Sequence, residues 1–242
     1  MMKISIVVPA FNEEAGLAAA LDSIRRAMRV FDRRGWSSEL VVCDNNSTDA
    51  TAAIAREAGA AVVFEPVNQI GRARNAGAAR ATGAWLIFVD ADSHPSAALF
   101  DDVAVAIEGG RCLAGGSTIA YDNPSFWVRA IVRAWNVSSR LNRWAAGSFI
   151  FCETAAFREV GGFNLELFAG EEIDLSRRLK RLARRRRQTI AILHKHPLLT
   201  SDRKMRLYTA REIAAFMLRA TLAPRRTLGN PSQCFAWYDG RR

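Results

Sequence analysis

The feature that most constrains this chain is an alternation of short apolar runs with helical patterns, each run ending in a polar cluster. Residues 3–8 (KISIVV) form a β-branched run that stops at Pro9, and from Glu14 onward Leu17, Leu21, Ile24, Met28 and Phe31 recur at helical spacing. Residues 39–43 (ELVVC) read as a second strand, and Asp49 with Thr51 opens an alanine-rich helix. Residues 61–64 give a third strand, 71–81 a third helix and 85–89 a fourth strand. The order βαβαβαβ predicts an α/β fold with a mostly parallel central sheet flanked by helices. In such sheets ligands bind beyond the carboxyl ends of the strands. The polar clusters fall at those ends: Asn12 and Glu13, then Asp44 to Asn46, then residues 68–74, then Asp90 and Asp92. One crevice collects all four.

Beyond the fourth strand the spacing predicts a helix over 97–107, a strand over 111–120, an aromatic-rich helix over 124–144 and a strand over 147–152. A short helix over 154–160 and a Gly161-Gly162 turn follow. Residues 171–184 form a helix with Leu175, Leu179 and Leu182 on one stripe, and 189–193 a closing strand. No boundary interrupts the pattern before Pro197, so the chain divides into a nucleotide-binding-like domain over 1–196 and a basic extension over 197–242. In the extension, residues 207–222 put Ile213, Phe216, Met217 and Ala220 on one helical face, with Arg211 and Arg219 elsewhere. A basic amphipathic helix of this kind suits peripheral contact with an anionic membrane; a helix packed on the domain with a solvated basic face has the same pattern.

The formal charge of +10 asks for an acidic partner: nucleic acid, anionic lipid or nucleotide phosphate. Eight of the eleven residues 177–187 are Lys or Arg, yet no aromatic residue interleaves with them and no nucleic-acid recognition motif occurs, so nucleic acid is the disfavoured partner. Met1-Met2-Lys3 leads into the first strand without a leader-like apolar segment, and no run has the length to cross a bilayer, which predicts a cytoplasmic body. Cys43, Cys112, Cys152 and Cys234 lie far apart and read as core thiols.

The sharpest chemical signal is Asp90-Ala91-Asp92 at the end of a buried run. Two such carboxylates can direct one oxygen to a ribose or water and another to Mg²⁺ or Mn²⁺, leaving positions for phosphate oxygens. A solvated turn or helix cap uses the same residues. Asp44 either caps its loop or accepts from a base or ribose, and Arg72 and Arg74 at the start of a helix are placed to neutralise a diphosphate. Glu171, Glu172 and Asp174 open a helix, where acids suit the dipole; gathered together, they also suit general-base work because like charges raise one pKa. His194 and His196 bracket Lys195 after the last strand, where HxH spacing fits a metal or phosphate ligand and equally a capped structural histidine.

The motifs VPAFNEE (8–14), CDNNSTD (43–49), GRARNAGAARATG (71–83), VDADSHP (89–95), GGFN (161–164) and GEEIDLSRRL (170–179) together resemble the ordered motif series of family 2 glycosyltransferases of the GT-A fold. The resemblance covers about residues 3–193. It implies that Pro9, Ala10 and Glu13 line the base and ribose pocket, that Asp44 bonds the base, and that Arg72 and Asn75 flank the nucleotide. Asp90 and Asp92 match the family's DXD element, with Asp92 the direct ligand of Mg²⁺ or Mn²⁺ and His194 a further candidate. The family's acid pair falls on Glu171 and Glu172, where Glu stands at the base position usually held by Asp; Glu172, Glu171 and Asp174 are therefore the candidate bases. Asn45 and Asn46 replace the usual Asp and Gly, and Asn tolerates left-handed backbone. The implied activity is inverting transfer from a nucleotide diphosphate sugar (UDP- or GDP-linked) to a saccharide hydroxyl or a lipid-linked acceptor. A nucleotidyltransferase or a non-catalytic nucleotide-sugar binder would share the crevice.

Overall fold

A computed structural model describes residues 2–122, 124, 126–201, 212, 215, 216, 219, 220 and 223–234. Its elements in chain order are β1 (Lys3–Ala10), α1 (Leu17–Asp32), β2 (Ser37–Asp44), α2 (Thr51–Glu57), β3 (Ala61–Phe64), α3 (Ile70–Arg80), β4 (Trp85–Val89), β5 (Ser93–His94), α4 (Ala97–Glu108) and β6 (Cys112–Tyr121). They continue as α5 (Phe126–Asn142), β7 (Phe149–Glu153), α6 (Thr154–Glu159), α7 (Glu171–Arg185), β8 (Thr189–Thr200) and α8 (Pro224–Leu228).

One eight-stranded sheet runs in the order β3-β2-β1-β4-β7-β6-β8-β5. β1 pairs in parallel with β2 and β4, and β2 with β3; β7 is antiparallel to both its neighbours, and β6 and β8 are again parallel to each other. The mostly parallel sheet is as expected, with β7 and the two-residue β5 reversed. Residues alternate between its two faces, as strands buried on both sides require. Ile4, Ile6, Val8, Ile87 and Val89 pack with Leu21, Ile24 and Phe100 of α1 and α4. Val7, Leu86 and Phe88 pack on the other face with Ala78, Phe157 and Leu179 of α3, α6 and α7. Phe88 lies edge-on to Phe163 at 5.1 Å and tilted to Phe157 at 5.3 Å; burying a ring of this size contributes about 1.5–3 kcal/mol. Gly77 lets α3 lie close on β1: a Cβ there would stand 2.5 Å from Val7 Cγ1.

One expectation changes. The closing strand expected over 189–193 continues through the histidines and Pro197 to Thr200, so a division at 196/197 falls within β8. It escapes the sequence pattern because it bulges: between the pairs Ser117–Leu193 and Ile119–Leu198, β8 inserts residues 194–197 opposite Thr118 alone. A proline, which lacks an N–H, is tolerated at such a bulge. The amphipathic helix expected over 207–222 lies mostly outside the described residues. The short α8 is described, and its Leu228 carbonyl accepts from Phe168 N at 2.7 Å, which ties it to the loop before α7. The four cysteines are buried free thiols. Among the described residues no helix is long and apolar enough to cross a membrane.

Candidate active site

In-register parallel pairing brings Ala10, Asp44 and Phe64 side by side at one edge of the sheet, with Val89 ending there too. Pro9 and Ala10 are buried at the end of β1. The backbone N–H of Glu13 donates to Thr51 Oγ1, fixing the β1–α1 loop against α2. Asp44 is also buried, and its Oδ1 accepts from Ser47 N at 3.0 Å, the capping role. Asn45 cross-links the neighbouring loop: Nδ2 donates to the carbonyls of Glu65 and Val67, and Oδ1 accepts from Gln69 N. Asn46 has φ 65°, the left-handed backbone expected of it, and Asn12 follows at φ 48°.

Beside these loops lies a pocket of acids around one buried cation. Arg74, 1% exposed, donates from Nη1 to Glu171 Oε1 at 2.7 Å, and from Nη2 to Asp90 Oδ1 at 2.8 Å and the Gly147 carbonyl at 2.9 Å. Its guanidinium lies over the Phe163 ring, and its Nε is buried without a hydrogen-bond partner among the described residues. Burial acts to lower the guanidinium's pKa, but Asp90 and Glu171 outweigh it and raise it. The two arginines of α3 thus part company. Both terminal nitrogens of Arg74 are taken by protein groups, the carboxylates of Asp90 and Glu171 and the Gly147 carbonyl, whereas Arg72 is only partly buried. Asn75 is committed as well: its amide donates to the Phe163 carbonyl and accepts from Phe163 N, both at 2.9 Å, clamping the GGFN turn.

Gly170, at φ 74°, turns the chain into α7 so that its first residues enter this pocket. Burial, and then the charge of Glu172, push the Glu171 carboxyl from 4.5 up to about 8 against the pull of Arg74. Burial raises Glu172 too, against the pull of Arg74. Three carboxyl groups, those of Asp90, Glu171 and Glu172, share one guanidinium. The Glu171–Glu172 pair therefore retains a proton towards neutral pH. Glu172 is the more exposed of the pair, with its carboxyl beside Gly147: a Cβ on that glycine would stand 3.5 Å from Glu172 Cδ. Asp174 points elsewhere, its Oδ2 held by Arg178 at 2.7 Å.

Asp90 and Asp92 follow β4 as expected, both partly buried, and the Asp92 carbonyl accepts from Ser201 N. His194 is exposed in the β8 bulge, seven positions before that Ser201, and the structure does not bring it to the aspartates. His196 pairs with Asp102 of α4 at 2.9 Å. Among the described residues no three His, Cys, Asp or Glu side chains gather into a metal cluster. The donor set therefore fits a hard divalent cation of the kind held by one or two carboxylates and completed by substrate phosphates, and does not fit an all-protein cage.

Sequence reasoning missed the central role of Arg74 and the Gly147 carbonyl. A signal for the former existed: Arg74 shares the buried side of α3 with Gly71, Gly77 and Ala78, a stripe of small residues into which one long side chain folds.

The family model described as glycosyl transferase family 2 matches residues 5–162, which ends before the acids of α7. An uncharacterized glycosyltransferase of Mycobacterium tuberculosis (strain ATCC 25618 / H37Rv) is 34% identical over 141 residues, 57% of this chain and 60% of that relative. The match thus spans less than two thirds of the relative's length. Among solved structures, a mannosyltransferase from Pyrobaculum calidifontis in complex with GDP-Man and Mn²⁺ superposes with a TM-score of 0.66 at 17% identity, covering 96% of this chain and 64% of that one. Glucosyl-3-phosphoglycerate synthase from Mycobacterium tuberculosis, in complex with Mn²⁺, UDP and glucosyl-3-phosphoglycerate, gives 0.61 at 23% identity, covering 93% and 80%. Such low identities speak for the fold, and the matched family speaks for descent: this chain belongs to glycosyl transferase family 2 and has the GT-A fold.

Proposed function

We propose that the crevice transfers a sugar, with inversion, from a nucleotide diphosphate sugar (UDP- or GDP-linked) to a saccharide hydroxyl or a lipid-linked acceptor. The observation that carries this reading is the acid pocket: Arg74 occupies Asp90 and Glu171 and leaves Glu172 as the partly exposed carboxyl with a raised pKa. A base whose pKa lies nearer the working pH is the effective one. Glu172 takes the acceptor proton, the acceptor oxygen bonds to the anomeric carbon on the face opposite the diphosphate, and the bond from that carbon to the phosphate oxygen breaks with its electron pair leaving on the diphosphate. Pro9, Ala10, Glu13 and Asp44 line the base and ribose side, and Arg72 at the amino end of α3 faces the leaving phosphates, where helix amides also favour anions. Asp92, with Asp90 alongside, would hold Mg²⁺ or Mn²⁺, which supplies charge neutralisation to the departing diphosphate. That two structural neighbours were solved with Mn²⁺ supports this choice of ion.

The test is turnover of a panel of UDP- and GDP-sugars with Mn²⁺ by wild type and Glu172→Gln. Transfer should fall by about 10²–10⁴-fold in the variant while donor-induced thermal stabilisation persists. Unchanged transfer would remove Glu172 as base. Release of pyrophosphate rather than nucleoside diphosphate would replace the reading with nucleotidyl transfer, and donor binding without turnover in wild type would make the chain a binder.

A further inference from the structure

Among the described residues, helix α5 is the one long element whose apolar residues stay outside the core. Of its seventeen residues only Ser139 is buried, while Phe126, Trp127 and Leu141 are 76%, 74% and 79% exposed. At about 100° per residue, Phe126, Val137, Ala130, Leu141, Trp127 and Ile131 share one outward arc about 140° wide. Arg129, Arg133 and Arg140 fall together within about 40° along one flank of that arc. The opposite side holds the helix to the domain: the Asn136 amide donates to the Ile119 carbonyl at 2.9 Å and accepts from Ile119 N at 3.1 Å, and Ser139 Oγ donates to the Trp144 carbonyl. No acidic residue occurs in α5.

We infer that α5 is a docking surface for an anionic bilayer. Exposed aromatic and aliphatic side chains beside an all-arginine stripe are the two contributions that hold an interfacial helix, apolar insertion and headgroup attraction. An antiparallel pair of copies through this face would set the two arginine stripes against each other. The helix is also coupled to the acids: Lys180 Nζ of α7 donates to the Asn142 carbonyl at 3.0 Å, Ala145 N donates to Ser176 Oγ at 3.1 Å, and Arg177 lies over the Trp144 ring. A bilayer held by α5 therefore lies next to the helix that carries Glu171 and Glu172.

The full chain is sedimented with phosphatidylcholine vesicles with and without phosphatidylglycerol. Wild type should pellet with the anionic vesicles only. At about fivefold per arginine, Arg129→Gln/Arg133→Gln/Arg140→Gln should lower partitioning on the order of 100-fold. Trp127→Ser/Leu141→Ser should also release the protein, and neither variant should shift the unfolding midpoint, since the changed side chains are exposed. Wild type left in the supernatant, or α5 variants that pellet as wild type does, would overturn the inference. So would a wild-type dimer by light scattering that Trp127→Ser/Leu141→Ser converts to monomer, which assigns the face to self-association. That bilayer contact serves a lipid-linked acceptor rests on the proposed transfer, and Glu172→Gln separates the two: it should lose transfer and keep vesicle binding.

Discussion

The two halves of the crevice are built by opposite means. On the side of β1, β2 and β3, separate loop-to-backbone bonds hold the loops: the Asn45 amide makes three to backbone groups of the next loop, Ser47, Thr51 and Asn12 tie the β1 and β2 loops together, and the Asp44, Asp49 and Glu14 carboxylates each accept from a backbone N–H. On the side of β4 and α7, one buried guanidinium is paired with two carboxyl groups, Asp90 and Glu171, and lies close to a third, Glu172. The Asn45 amide carries no titrating group and each of the first side's three carboxylates has its own backbone donor, so that side suits a surface that must keep one shape for a ligand. A charged cluster with fewer cations than acids cannot be satisfied by geometry alone and takes up a proton, which suits a surface that must exchange one.

The comparison breaks most readily at Arg74. Arg74→Ala leaves Glu171 and Asp90 without their cation and should cost about 3–5 kcal/mol in urea unfolding. A loss below about 1 kcal/mol would mean that the acids do not depend on it. The next effect is pH dependence. The Glu171 carboxyl lies at about 8 in the fold against 4.5 unfolded, so the fold binds more protons than the unfolded chain between those values. Stability from this group is complete below pH 4.5 and is lost as pH rises through about 8, with a slope of at most about 1.4 kcal/mol per pH unit. Glu171→Gln should flatten that slope, and a flat wild-type curve would contradict the shared proton. Smallest is Asn45→Ala, which strands buried backbone groups and should cost about 1–3 kcal/mol. Its cost should be the same at pH 5 and pH 8; a pH-dependent cost would join the two halves into one network.

The half built from loop-to-backbone bonds was the more legible in sequence. Strand ends there are marked by Pro9, Asp44 and the Asn45-Asn46 pair, and turn residues announce their own local bonds. The charged half was legible only in its parts. Arg74, Asp90 and the Glu171–Glu172 pair are far apart in sequence, and their meeting depends on β7 entering the sheet antiparallel beside β4, which brings the residue 147–148 loop against Asp90. Periodicity reveals that a segment is a strand but carries no sign of its direction. The lower part of β8 was hidden for a different reason: His194, Lys195, His196 and Pro197 break the apolar run in which a strand is recognised.

That same break bears on how the molecule behaves in a crowded solution. Among the described residues, β8 meets β5 only at Leu199 and Thr200, so most of its outer rim is a sheet edge. An open edge invites a strand from another molecule to add to it, the first step of edge-to-edge aggregation. The excursion at residues 194–197, with its lysine, its paired histidine and a proline that offers no donor, interrupts the row of amides an incoming strand would need. Straightening this bulge would turn a self-contained sheet into a template.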